Sequence, residues 1–217
     1  MAVLVDTVIF DFDGVLVDTG PDVAGAANDT LAALGLATLP VPVVVSFIGG
    51  GAEILMRRCL AQKTDELLAV AVPMFVQRYA ERCCVETRLY PEVQNVLDAY
   101  AQAGKHMAIA TQKVEAITRT ILDHFKLAGY FEVLVGPESV THRKPHPESV
   151  LRILDATHTA PTRAVLIGDT ASDIKAGKAA GIWTCGVKYG YGSAEEIEAE
   201  KPDWALDHLN QMLEWIC

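Results

Sequence analysis

The 217-residue chain predicts an α/β fold in which a parallel-sheet core carries an all-helical insert after its first strand. Two observations and one packing rule lead there. Short β-branched runs alternate with amphipathic helical patterns along most of the sequence. Such strand–helix–strand order needs crossovers that lay helices on both faces of a parallel sheet. One interval, from about Pro21 to Cys84, breaks the alternation and reads as helices only. Taken in order, residues 5–10 (VDTVIF) form a buried strand. Pro21 suits a first helical turn and Gly35 its end, with Val23, Ala27, Thr30, Leu31 and Leu34 sharing a face. Gly49, Gly50 and Gly51 lead into a second helix over about residues 53–60. Thr64 can cap a third, which Pro73 is expected to kink or split. Beyond the insert, Val93, Val96, Leu97 and Tyr100 fall at i, i+3, i+4 and i+7 of a helix. Strands then follow at residues 107–110, 133–135, 164–167 and 184–187. Between them lie helices with Val114, Ile117, Ile121 and Leu122 on one face, and Val150, Ile153 and Leu154 on another. The expected layout is a discontinuous Rossmann-like core, residues 1–16 and 87–217, around a helical domain at 17–86.

Composition narrows the function classes. With 18 Lys+Arg against 28 Asp+Glu, the chain carries a net charge of −10, which argues against nucleic acid as a partner. The longest nearly unbroken apolar run, residues 67–76, is too short to span a bilayer. The opening MAVLVDTVIF lacks a basic region and a small-residue cleavage site. A cytoplasmic protein without a membrane partner, monomeric or homodimeric, is the expectation. Five cysteines, Cys59, Cys83, Cys84, Cys185 and Cys217, are odd in number and form no C-x-x-C pair. Inert thiols in a reducing compartment account for them more simply than a disulfide framework.

Polar residues of the types that phosphate chemistry uses follow the strands. Asp11-Phe12-Asp13-Gly14 follows the first, Thr111 ends the second within ATQK, Arg143-Lys144-Pro145 comes after the third, and Gly168-Asp169-Thr170 ends the fourth, with Asp173 four residues beyond Asp169. Each has an ordinary reading when taken alone: Asp11 and Asp13 as turn acids, Thr111 as a helix cap, Lys144 as solvated surface, Asp169 and Asp173 as helix-terminus acids. In a parallel sheet, however, these ends share one edge, the crevice where ligands bind. Clustered carboxylates suit Mg²⁺, which completes its shell with water and phosphate oxygens. A carboxylate can attack phosphorus, and a second can protonate the leaving oxygen and then activate water. A lysine and a threonine can hold the phosphoryl oxygens in transit.

With these residues the chain resembles the haloacid dehalogenase superfamily of phosphohydrolases. DFDGVLVDT resembles the first motif of that family, Thr111 the second, Lys144 in RKPHPE the third and GDTASD the fourth. The likeness covers essentially the whole chain, including KAAGI after the fourth motif. It implies that the insert is an α-helical cap closing over the site. DTGPDVAGAANDTLAALGL and FIGGGAEILMRR look most like phosphoglycolate phosphatases, so the implied substrate is a small phosphorylated metabolite. By the same resemblance Asp11 is nucleophile and Mg²⁺ ligand, and Asp13 is general acid/base and ligand through its backbone carbonyl. Asp169 is the other carboxylate ligand, Asp173 orients the metal surroundings or Lys144, and Thr111 and Lys144 bind phosphate. Asp13 speaks against dehalogenase activity itself. Val15 stands where phosphatases commonly have threonine and is shared with some sugar-phosphate mutases, so a β-phosphoglucomutase-like reading stays open. Gln112 replaces a usual asparagine, and Pro137-Glu138 a frequent Gly-Asp. A receiver-type phosphoacceptor domain also combines acids, Thr and Lys, but in another chain order and without the insert.

Specificity is expected from the insert. Gly50, with its glycine neighbours, either lets a cap loop approach substrate or only separates two helices. Arg57 and Arg58 could pair with a substrate carboxylate, with surface solvation the alternative for at least one. His142 and His146 flank Lys144 with no further ligand at metal spacing, and are expected to be structural.

Overall fold

The computed structural model describes residues 3–61 and 63–215, so Met1-Ala2 of the N-terminal reading and the Cys217 thiol lie outside the described residues. The chain opens with β1 (Thr7–Phe10) and reaches β2 (Val17–Asp18) after the DFDG turn. Four helices follow: α1 (Gly20–Ala33), α2 (Val41–Val45), α3 (Gly51–Cys59) and α4 (Asp65–Arg82). β3 (Arg88–Leu89) pairs with β2 in a two-stranded sheet where the chain enters and leaves the insert. Then come α5 (Val93–Gln102), β4 (His106–Ala110), α6 (Glu115–His124), β5 (Val133–Val135), α7 (Glu148–Ala156) and β6 (Ala164–Gly168). The chain ends with α8 (Ala171–Ala180), β7 (Trp183–Val187), α9 (Ala194–Ala199) and β8 (Trp204–Leu206). Strands begin or end within two residues of the expected positions, the range over which ladder ends fray. The two-residue β2 and β3, the short α2 and the edge strand β8 were not expected.

By internal contacts, Asp18–Arg88 forms one compact unit and the rest of the described chain another. In the larger unit a six-stranded parallel sheet runs in the order β5-β4-β1-β6-β7-β8. β1, between β4 and β6, is buried throughout because both faces are covered. Ile9 lies level with Ala108 and Leu166, and with Val150, Ile153 and Leu154 of α7 it builds one core cluster. Residues of opposite parity, Val8, Phe10, Ile109, Val165 and Ile167, are equally buried.

The smaller unit is helical, as its patterning requires. Val23, Ala27, Thr30 and Leu31 of α1 are buried and α1 packs along α4. Gly35, at φ +71°, terminates α1, and the amide of Leu36 donates to the Leu31 carbonyl at 2.9 Å. The Thr64 hydroxyl caps α4 by accepting from the Leu67 amide at 3.3 Å. Pro73 does not split this helix, which runs unbroken through it. Pro73 is exposed, as is Ala69, whose carbonyl loses its intrahelical donor, so water can take that place. Asp22 closes the unit: one of its buried carboxylate oxygens accepts from the Glu86 amide, the Thr87 amide and the Thr87 hydroxyl, each at 2.9 Å. No described helix is long and apolar enough to cross a membrane.

Candidate active site

β1 is the switch point of the sheet: β4 and β5 lie to one side of it, and β6, β7 and β8 to the other. Phe10 pairs level with Ile109 on one neighbour and Ile167 on the other. The residues that leave these three strands therefore emerge together at one edge: Asp11 from β1, Thr111 from β4 and Asp169 from β6. Lys144 reaches the same place from the loop before α7, and Asp173 from the first turn of α8.

Lys144 lies at the centre of the group. Its ammonium donates to Asp173 Oδ1 at 2.6 Å and to the Ala110 carbonyl at 2.8 Å, and stands 3.2 Å from Asp11 Oδ2. Burial works against this charge, but Asp11 and Asp173 outweigh it and raise the pKa above the ordinary lysine value. Asp173 uses its second oxygen locally, accepting from the Thr170 hydroxyl at 2.6 Å and the Thr170 amide at 3.0 Å, a capping box on α8. With both oxygens committed, Asp173 is a strut for Lys144.

Asp11 accepts from the Phe12 amide through Oδ1 at 2.7 Å. Burial pushes its pKa up to about 7, against the pull of Lys144 and with the push of Asp173. Asp169 is also held well above the usual carboxylate range, by burial first and then by the charges of Asp11 and Asp173. Oxygens of Asp11, Asp169 and Asp173 all lie within 4.8 Å of one another. Three carboxylates against one ammonium leave an excess of negative charge in a buried place. That donor set fits a small hard cation such as Mg²⁺, whose charge would let Asp11 and Asp169 ionise.

Two parts of the site escape sequence reasoning. Lys113, buried at the start of the loop after β4, places Nζ 2.9 Å from Asp13 Oδ2. Its amide also donates to the Thr111 hydroxyl at 3.1 Å, so one short segment shapes both Thr111 and Asp13. The only signal was ATQK itself, whose lysine reads as solvated until Asp13 is set beside it. The second part is the glycine loop after β7. Asp169 Oδ2 accepts from the Tyr191 amide at 2.7 Å. A Cβ on Gly14 would come within 2.0 Å of that same oxygen, and one on Gly192 within 1.8 Å of the Asp169 carbonyl. Only glycine allows backbone to enclose Asp169 this closely.

The remaining candidates lie in the helical unit. Gly50 precedes α3 between Gly49 (φ +115°) and Gly51 (φ +82°), and a Cβ on it would meet the Ile54 side chain at 2.8 Å. Arg57 pairs with Asp65 at 2.8 Å and with Glu53 at 3.4 Å, all three on the surface. Among the described residues Arg58 makes a long 3.5 Å contact to the Phe47 carbonyl, and with Ser46, Phe47 and Ala61 it lines a cavity of about 580 Å³. His142 and His146 differ from expectation: Glu148 joins them, and ligand atoms of all three lie within 4.8 Å of one another. The described cysteines are unbridged.

Residues 8–187 match the family described as haloacid dehalogenase-like hydrolases. Among similar proteins is a phosphoglycolate phosphatase of Colwellia psychrerythraea, 34% identical over 96% of this chain and 95% of its own length. A phosphoglycolate phosphatase of Aquifex aeolicus is also 34% identical, covering 95% of this chain and 94% of its own. Among solved structures, a predicted phosphoglycolate phosphatase from Haemophilus somnus superposes with a TM-score of 0.91 at 29% identity, covering 97% of both chains.

Proposed function

The chain belongs to the haloacid dehalogenase-like hydrolase family, and from that premise we propose a Mg²⁺-dependent phosphatase acting on a small, 2-phosphoglycolate-like metabolite through an aspartyl-phosphate on Asp11. The observation that carries this reading is a buried carboxylate, Asp11, set 3.2 Å from a buried lysine at the switch point of the sheet. Asp11 attacks phosphorus, the ester P–O bond breaks, and Asp13 gives its proton to the departing alkoxide. Asp13 then takes a proton from water as that water attacks phosphorus. The bond from phosphorus to Asp11 breaks, and inorganic phosphate leaves. Lys144 and Thr111 hold the non-bridging oxygens, where charge must be met without rearrangement. Asp173 keeps Lys144 aimed, and Lys113 keeps Asp13 aimed. Asp11, Asp169 and the Asp13 carbonyl would hold Mg²⁺, which would supply charge neutralisation for the phosphoryl group.

In this reading Asp18–Arg88 acts as a cap that selects the substrate, because the catalytic group recognises phosphoryl and little more. Gly49 and Gly51, on either side of Gly50, give the entry to α3 its turn. Arg57 can meet a substrate carboxylate only by leaving Glu53 and Asp65, whereas Arg58, which has no carboxylate partner among the described residues, already lines a cavity. The relatives named phosphoglycolate phosphatase support the substrate class. The test is phosphate release from a panel of phosphorylated metabolites, with Mg²⁺ and with EDTA. We expect Mg²⁺-dependent release with 2-phosphoglycolate preferred by orders of magnitude in kcat/KM. Isomerisation of a hexose phosphate without release would replace this reading by a mutase, and a long-lived phosphoprotein without release by a receiver-type domain.

A further inference from the structure

The loop that delivers Lys144 carries a second cluster of ligating groups, chemically unlike the first. His142 and His146 both expose their imidazoles, with ring centres 4.6 Å apart and planes 34° from parallel. The third member, Glu148, is held in place from behind. Its Oε1 accepts from the Thr141 amide at 3.0 Å and from Arg152 at 3.0 Å, while Oε2 accepts from the His142 amide at 2.8 Å. That same Oε2 lies 3.2 Å from His142 Nδ1. Two imidazoles and a carboxylate thus converge from positions i, i+4 and i+6, because the backbone turns between them: the His146 amide donates to the Arg143 carbonyl at 3.0 Å.

We infer that His142, His146 and Glu148 form a surface site for a divalent transition ion of the Zn²⁺ class. Two nitrogens and one oxygen are the donors such an ion takes when it keeps an open coordination position. Mg²⁺ prefers an all-oxygen shell, so it is poorly served here and better served among Asp11 and Asp169. The carboxylate is already oriented by main-chain donors, so little ordering remains for binding to supply. What must yield is one hydrogen bond, from the Glu148 amide to His146 Nδ1 at 3.2 Å, together with the approach of His142 to Glu148. An ion there braces the turn from which Lys144 projects.

The test titrates the full-length protein with Zn²⁺ in saturating Mg²⁺ by isothermal calorimetry. It compares wild type, His142→Ala/His146→Ala and Asp169→Asn, with Co²⁺ absorption reporting the ligands. One Zn²⁺ equivalent should bind to wild type and to Asp169→Asn, and weaken at least about tenfold in the double histidine variant. The Co²⁺ spectrum should lack a thiolate charge-transfer band. Should the double variant fail to fold, His142→Ala alone repeats the comparison. The inference is overturned if no Zn²⁺ binds, if binding survives the histidine substitutions, if it is lost only in Asp169→Asn, or if a thiolate band appears.

Discussion

Asp169→Asn should make the metal-free protein more stable while abolishing its Mg²⁺ response. Asp169 is almost fully buried, and one of its oxygens lies within 4.8 Å of an oxygen of Asp11 and of Asp173. At that separation and an effective dielectric near 20, each ionised pair costs about 3 kcal/mol. Lys144 offsets part of this, and proton uptake by Asp11 and Asp169 another part. About 1–3 kcal/mol should remain to be relieved at pH 8. Asparagine is isosteric, and its oxygen can still accept from the Tyr191 amide that now donates to Asp169 at 2.7 Å. The pH dependence has a definite sign. Asp11 is raised from 3.8 to about 7 and Asp169 is raised too, so the folded state binds these protons more tightly than the unfolded chain. Their contribution is fully present below about pH 4 and is lost as pH rises through 7. Guanidinium unfolding in EDTA should therefore show the variant more stable at pH 8, with a gap that narrows towards pH 5. Added Mg²⁺ should stabilise the wild type alone. A variant less stable than wild type by the same amount at both pH values would refute the idea of a repelling, cation-seeking cluster.

Lys113→Met should slow single-turnover release of the leaving group by about 10²-fold with alkyl phosphates and far less with p-nitrophenyl phosphate, whose leaving group needs no proton; equal losses in this first step would detach Lys113 from Asp13. Asp22→Ala should destabilise the protein by about 2–4 kcal/mol in urea, because the amides of Glu86 and Thr87 and the Thr87 hydroxyl lose a shared buried acceptor. Activity changes without a stability change would contradict that structural role. Burial pushes the Cys59 thiol up to about 11 and the Cys185 thiol higher still. In a Cys217→Ser background, a disulfide reagent at pH 8 should thus label these two only on unfolding, and rapid labelling of the native protein would show that they are reachable thiolates.

The sheet was legible because its strands are short apolar runs closed by polar residues, and because parallel order brings their ends to one edge. Asp11, Asp169, Asp173 and Lys144 could therefore be brought together before any coordinates. Lys113 could not, since a loop lysine looks solvated until Asp13 from another strand covers it. Nor could the glycines around Asp169, whose need arises only where two loops meet in space. Pro73 misled for a related reason: its penalty depends on whether the orphaned carbonyl faces water, which periodicity does not reveal. β8 is no shorter than β5, but its WAL lacks the β-branched residues by which VLV reads as a strand. His142, His146 and Glu148 meet only because the intervening turn reverses the chain.

The central claim is covalent attachment of phosphate to Asp11, and the most direct measurement traps it. Enzyme turning over 2-phosphoglycolate with Mg²⁺ is quenched, reduced with borohydride and mapped by mass spectrometry, since reduction converts an aspartyl-phosphate to homoserine. Homoserine at position 11, dependent on substrate and absent in Asp11→Asn, is the predicted result. Steady phosphate release with no modification at position 11, or with modification at another carboxylate, would contradict the account.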